Sequence, residues 1–184
     1  MTEEPIRMDD SPTLPTGELA MAARTLVEER LRGLRRAVDR DLAPVDIVLK
    51  PATPKVRRHL FEEACELYWN ELSWEELSEE ELVGDGEHEL TEMVFPGLLA
   101  LIDALLPKAP NGEPDRDREH RDVTHDFLLW LAARLVELRN ARPEDNGDRI
   151  RLKRQAAVTD DLIDLIAFRL YSLTRPEIER YQTR

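Results

Sequence analysis

The sequence predicts an all-α protein: an irregular helical bundle of five or six helices with a kinked central hydrophobic helix. Three observations favour this fold class. Leu, Ala, Glu and Arg, which are all good helix formers, dominate the composition. Apolar residues recur at steps of three and four along most of the chain, which is the spacing of one helix face. Runs of β-branched residues are few, and hairpin dipeptides between alternating segments are nearly absent.

The stretch 93–106, together with the helix expected at 119–138, is the predicted centre of the fold. Eleven of its fourteen residues are Met, Val, Phe, Leu, Ile or Ala. It is shorter than the roughly 20 apolar residues that span a bilayer, and a helix that is apolar nearly all round is typical of a protein interior. Pro96 removes a helical hydrogen bond and disfavours helix at the residue before it. We therefore expect a kink or break at 95–97 and a second helical segment up to Leu106.

Amphipathic patterns with the period of a helix surround this centre. The last of them opens with RIRLKR, which alternates, so a short strand is an option at 149–154 before the pattern becomes firmly helical at Thr159. Residues 107–118 carry charges, Pro and Gly, and form a loop long enough to be mobile. The surrounding helices are expected at about 17–40, 54–72, 119–140 and 148–175.

A single helical domain is expected, because 184 residues suit one domain. We place this domain at 16–175. Residues 1–15 are acidic and contain three prolines, which predicts a disordered tail, and 176–184 are expected to fray as a C-terminal tail. The proline-bracketed run 45–49 is either a connector, which we favour, or a lone strand that needs a partner such as a second copy.

The charge and the cysteine count limit the function classes. The net charge is −13, and residues 61–126 carry 20 acidic but only 4 basic residues. This balance opposes non-specific nucleic-acid binding by the whole chain. A single cysteine, Cys65, excludes an intramolecular disulfide framework and a Cys-based zinc site. The first residues lack the apolar region of a signal peptide, so a reducing cytoplasm is the expected location.

The leading interpretation is a non-catalytic interaction protein, an acidic helical adaptor or a subunit of a larger assembly. Charge is segregated along the chain, and no cofactor motif or convergent catalytic group is evident. We expect protein partners, including one with a basic surface, and no cofactor; a homo-oligomer is a further option. The predicted partner site combines an aromatic anchor with two acidic capping boxes. The alternative is that the Trp merely covers the core. The site consists of Trp74, Glu75, Glu76, Glu79, Glu80 and Glu81.

The first alternative is a metal-dependent helical-bundle enzyme. The spacing Asp-x-x-His occurs twice, as Asp85 with His88 and as Asp122 with His125. Residues three apart share a helix face, and carboxylates and imidazoles on facing helices hold metal ions in bundle proteins. Chance pairs are common among 39 acidic residues and 4 histidines, and Asp85 lies between two glycines. Because such pairs arise easily by chance, the metal-dependent enzyme is the alternative and not the leading interpretation.

The second alternative is a nucleic-acid-associated protein that uses its basic flanking helices. A cluster of basic residues near position 150 can contact phosphates, with either Arg57 and Arg58 or the first helix beside it. Aromatic residues make up only 5% of the chain, too few for a stacking platform, and the acidic middle would repel a duplex. The cluster consists of Arg149, Arg151, Lys153 and Arg154.

Overall fold

The computed structural model describes residues 12–42, 51–73 and 87–183. These residues form seven α-helices and no strand, which confirms the predicted all-α class. The helix count differs from the predicted five or six. The helices are α1 (Gly17–Ala37), α2 (Pro54–Ser73), α3 (Glu87–Val94), α4 (Pro96–Leu105), α5 (Arg121–Asn140), α6 (Asn146–Leu170) and α7 (Arg175–Gln182).

Helix α5, which covers most of the second segment predicted at the centre, 119–138, lies in the middle of the bundle. It packs against α1, α2, α4 and α6, and twelve of its twenty residues are buried. Helix α4 buries only one face, because small or charged residues at helical spacing cover the other. The exposed face of α4 consists of Pro96, Ala100, Asp103 and Ala104.

A kink or a break was predicted at 95–97, and the structure has the break, with two separate helices in place of one kinked helix. Helix α3 ends at Val94 and α4 begins at Pro96. Phe95 between them has a φ of −120° and a ψ of 53°, outside the helical region, as expected for the residue before a proline. Its ring is fully buried and stacks on Tyr68 with 5.7 Å between centroids. The break therefore places an aromatic side chain in the core.

Helix α6 runs without interruption from residue 146, so no strand forms at 149–154. Asp145 caps its first turn, since the Asp145 side chain accepts a hydrogen bond from the backbone N–H of Asp148 at 2.7 Å. The side chains of Ile150 and Leu152 are half-buried while their neighbours are exposed. The alternating RIRLKR segment thus forms the first turns of a helix, where its apolar side chains are partly buried.

The C-terminal segment, expected to fray, forms helix α7. Thr174 and Glu177 make a capping box at its start. The Glu177 carboxylate also binds Arg40 at 2.8 Å, and Ile178 and Tyr181 pack against the core. These contacts hold the segment because they join it to residues more than a hundred positions earlier in the chain.

The loop 107–118 is crossed by backbone hydrogen bonds. The N–H of Asp115 donates to the carbonyl of Pro107 at 2.9 Å, and the N–H of Ala109 donates to Glu113 at 2.7 Å. No helix among the described residues is long and apolar enough to cross a membrane. Residues 1–11, 45–49 and 74–86, on which several predictions fall, lie outside the described residues.

Candidate functional site

A group of charged side chains lies where α1, α3, α6 and α7 approach one another. Three of its carboxylates come from one side of α6, at positions i, i+1 and i+4, beside the apolar face that α6 buries. Helices α1, α3 and α7 supply the remaining members. The group, called here the Asp161 cluster, consists of Arg30, His88, Asp160, Asp161, Asp164 and Gln182.

The imidazole of His88 connects α3 to α6. Its Nε2 lies 2.9 Å from Oδ1 of Asp161, and the side-chain amide of Gln182 contacts the ring from α7. The ring meets Phe168 edge to face, with 5.4 Å between centroids. The hydrogen bond to Asp161 raises the pKa of His88 despite partial burial. These contacts position the imidazole from three sides.

The guanidinium of Arg30 ties α1 to the same side of α6. It donates to Oδ1 of Asp160 at 2.6 Å and to Oδ1 of Asp164 at 2.9 Å. Burial raises the pKa of Asp164, and Arg30 offsets part of that effect. Arg139 lies 3.3 Å from the second oxygen of Asp160. While His88 is neutral, three carboxylates therefore face two guanidinium groups, which leaves one net negative charge.

One oxygen of the cluster is left without a donor. Oδ2 of Asp161 is buried and accepts no hydrogen bond from the described part of the chain, and the Asp161 side chain is only 10% exposed. A buried acceptor left unsatisfied costs about 1–3 kcal/mol, and more when it is charged. This oxygen is the feature of the cluster that internal ion pairs do not explain.

Of the four residues predicted to ligate a metal, His88 belongs to a group of side chains that could hold an ion. Ligand atoms of His88, Asp161 and Asp164 all lie within 4.8 Å of one another, and this is the one such group in the ranges 12–42, 51–73 and 87–183. Asp85 lies outside those ranges. The sequence analysis missed both aspartates of α6, although two acids three apart beside an apolar helix face were a readable signal.

Asp122 and His125 lie on α5 and are not members of that group. Asp122 accepts a hydrogen bond from the backbone N–H of Ala52 at 3.0 Å. Its neighbour Asp126 accepts two hydrogen bonds from Arg57, at 2.7 and 2.9 Å. These carboxylates attach the start of α2 and the residues before it to the central helix, which is a structural role.

The predicted basic cluster lies on the first turns of α6. Arg151 pairs with Asp148 on the same helix, and Arg149 contacts the side chain of Asn146. Arg58 pairs with Glu62 at 2.9 Å, and Arg57 is held by Asp126 as described above. Lys153 is exposed and Arg154 is half-buried. Local carboxylates thus engage much of the positive charge that the nucleic-acid alternative requires.

The surface also carries two clefts of mixed charge. The larger, about 630 Å³, lies between the loop 107–118 and the turn 171–174 that follows α6. Basic and acidic side chains both line it, including Arg116 and Glu113. A second cleft of about 490 Å³ lies beside Glu119 and His120. Neither cleft contains residues of the Asp161 cluster.

The outer face of α3 combines acidic and apolar side chains. Glu89, Glu92 and Met93 are spaced to share one face, and all three are exposed. Met93 is the most exposed large apolar side chain of the described residues, at 74%. On α2, Glu63 and Glu66 are also exposed. The charge of Glu92 acts on the imidazole of His88, one turn earlier on α3. The predicted partner site at 74–81 falls between α2 and α3 in sequence.

No protein family, characterised protein or solved structure matches the chain.

Proposed function

We propose that this protein is a non-catalytic, acidic helical interaction protein, an adaptor or a subunit of a larger assembly. The observation that carries the proposal is the outer face of α3. There Met93, which is 74% exposed, shares one helix face with the exposed Glu89 and Glu92. Met side chains adapt to varied partner surfaces. The face thus has the composition of an apolar contact with an acidic rim.

The charge of the surrounding sequence supports a basic partner. Residues 61–126 carry 20 acidic and 4 basic residues, and the exposed Glu63 and Glu66 extend the acidic character to α2. Exposed carboxylates attract a basic surface from a distance and disfavour acidic partners. The predicted patch at 74–81 would contribute five further glutamates and Trp74 to the same interaction.

The cytoplasm is the proposed location. Cys65 is free and buried in the core, and free thiols are usual in reducing compartments. We therefore propose a cytoplasmic protein partner that carries a basic surface.

Affinity capture from an extract of the native source tests this function. The test variant changes Glu89 and Glu92 to Lys and Met93 to Ala. The matched control changes Glu18 and Glu28 to Lys and Met21 to Ala, because these two glutamates of α1 are exposed and Met21 is 65% exposed. The extract is treated with nuclease so that nucleic acid cannot bridge proteins.

We expect the wild type and the α1 control to retain the same partner in stoichiometric amount. The α3 variant should retain at least about tenfold less, because a lysine now faces the basic surface. A second variant, with Glu75, Glu76, Glu79, Glu80 and Glu81 changed to Lys and Trp74 to Ala, tests the segment 74–81 separately. Equal capture by the wild type and both charge-reversed variants would contradict the proposal.

A further inference from the structure

We propose that the Asp161 cluster is a binding site for a first-row divalent transition-metal ion, ligated by His88, Asp161 and Asp164. The proposal does not rest on the partner interaction, although His88 lies on the same helix as Glu89 and Glu92. It differs from the metal site suggested by the Asp-x-x-His spacing, because its carboxylates come from α6 and not from residues 85 and 122. Its three ligand atoms come from two helices and lie within 4.8 Å of one another.

Oδ2 of Asp161, which has no hydrogen-bond donor in the described ranges, is the atom that indicates a cation-binding site. Oδ2 is buried and accepts no hydrogen bond among the described residues, although the side chain is nine-tenths buried. Buried charges in proteins are paired or coordinate metals. A divalent ion held by both oxygens of the Asp161 carboxylate would satisfy Oδ2, which the basic side chains of the cluster leave unsatisfied, as well as Oδ1 beside His88.

The spacing of the ligand atoms fits an ion of this class. Bonds from such an ion to nitrogen and oxygen are about 2.0–2.2 Å long, so neighbouring ligand atoms lie about 3 Å apart. Nε2 of His88 and Oδ1 of Asp161 are 2.9 Å apart. One carboxylate oxygen of Asp164 lies within 4.8 Å of the ligand atoms of both other residues, and Arg30 binds Oδ1 of Asp164. Three protein ligands leave further positions for water.

The surroundings also fit a metal-bound imidazole. A ligating His usually has its other ring nitrogen held by a second group that fixes the tautomer. Gln182 lies beside Nδ1 of His88, and its amide oxygen, turned towards the ring, would accept the Nδ1–H of a His that ligates through Nε2. Arg30 similarly orients Asp164. One imidazole with two carboxylates suits Zn²⁺, Mn²⁺ or Fe²⁺, whereas Ca²⁺ and Mg²⁺ prefer oxygen ligands alone.

Isothermal titration of the untagged, metal-free full-length protein with Zn²⁺ and with Mn²⁺ tests the site. The test variants are Asp161→Asn, which keeps the size of the side chain, and His88→Ala. The control is His59→Ala, since His59 is exposed on α2. Circular dichroism shows that each variant keeps its helix content, and the ion-induced rise in Tm provides a second readout.

We expect one ion per chain for the wild type and for the His59 control. Binding should weaken at least about tenfold in Asp161→Asn and in His88→Ala, and the rise in Tm should disappear with it. The proposal is overturned if neither ion binds the wild type saturably, or if Asp161→Asn binds as the wild type does. It is equally overturned if binding depends on His125 and not on Asp161.

Discussion

The carboxylate of Glu71 accepts a hydrogen bond at 2.6 Å from the backbone N–H of Gly97. A second bond, 2.8 Å long, comes from the N–H of Leu98. These two N–H groups belong to the first turn of α4, which has no side-chain cap of its own. A carboxylate there also complements the positive end of the helix dipole. Glu71 therefore caps α4 from α2 and helps to fix the two helices together.

Replacing Glu71 by Ala should lower the free energy of unfolding by about 1–3 kcal/mol, since two N–H groups lose a charged acceptor. Urea unfolding measures this change. The exposed Glu63 on the same helix is the control, and its replacement by Ala should cost less than about 0.5 kcal/mol. Gly97→Ala should also destabilise, because a Cβ at residue 97 would lie 2.6 Å from Oε2 of Glu71. Equal stability of the Glu71 and Glu63 variants would refute the capping role.

Tyr68 and Thr159 form a buried pair between α2 and α6. Their hydroxyl oxygens are 2.8 Å apart, and both side chains are buried. Tyr68→Phe or Thr159→Val alone leaves one buried hydroxyl without its partner, which should cost about 1–3 kcal/mol. The double variant should cost less than the sum of the two, with a coupling energy of about 0.5–3 kcal/mol. Strictly additive losses in thermal or urea unfolding would show that the pair is not coupled.

Acidification should weaken the attachment of α7. The hydrogen bond from Arg40, with help from Thr174, lowers the pKa of Glu177 from 4.5 to about 2. Because the folded-state pKa is depressed, the stabilisation from Glu177 is fully present above pH 4.5 and is lost as the pH falls towards 2. Urea midpoints of the wild type and Glu177→Gln should therefore differ at pH 6 and converge near pH 2. Glu179→Gln, at an exposed position of α7, should follow the wild type throughout; a Glu177→Gln difference that is independent of pH would contradict this linkage.

Cys65 should be unreactive in the native protein. Burial, together with the nearby charge of Glu62, raises the pKa of its thiol well above the usual range, and the thiolate is the reactive species. A chromogenic disulfide reagent at pH 8 should modify Cys65 only as fast as the protein opens. Modification in denaturant should be complete and rapid. Rapid modification of the native protein would show that the core around α2 is accessible.

The sequence predicts the helical class well because helical periodicity and prolines are local signals. The break before Pro96 follows from such a signal. Helix α7 had one as well, since the segment from Thr174 to Glu177 has capping-box spacing. The apolar pattern of 119–138 predicted a central helix, but not the burial of its polar first turn, because that burial depends on partners such as Arg57 on another helix. Asp161 could not be joined to His88 from the sequence, since that contact depends on how α3 packs against α6.

Cross-linking mass spectrometry in an extract of the native source tests the proposed partner surface most directly. A reagent that joins carboxylates to amines should link Glu89 and Glu92 of α3 to lysines of one basic partner protein. The exposed acids of α1, Glu18, Glu28 and Glu29, should give few such links. Intermolecular links concentrated on α1, with Glu89 and Glu92 unmodified by any partner, would contradict the assignment of α3 as the interaction surface.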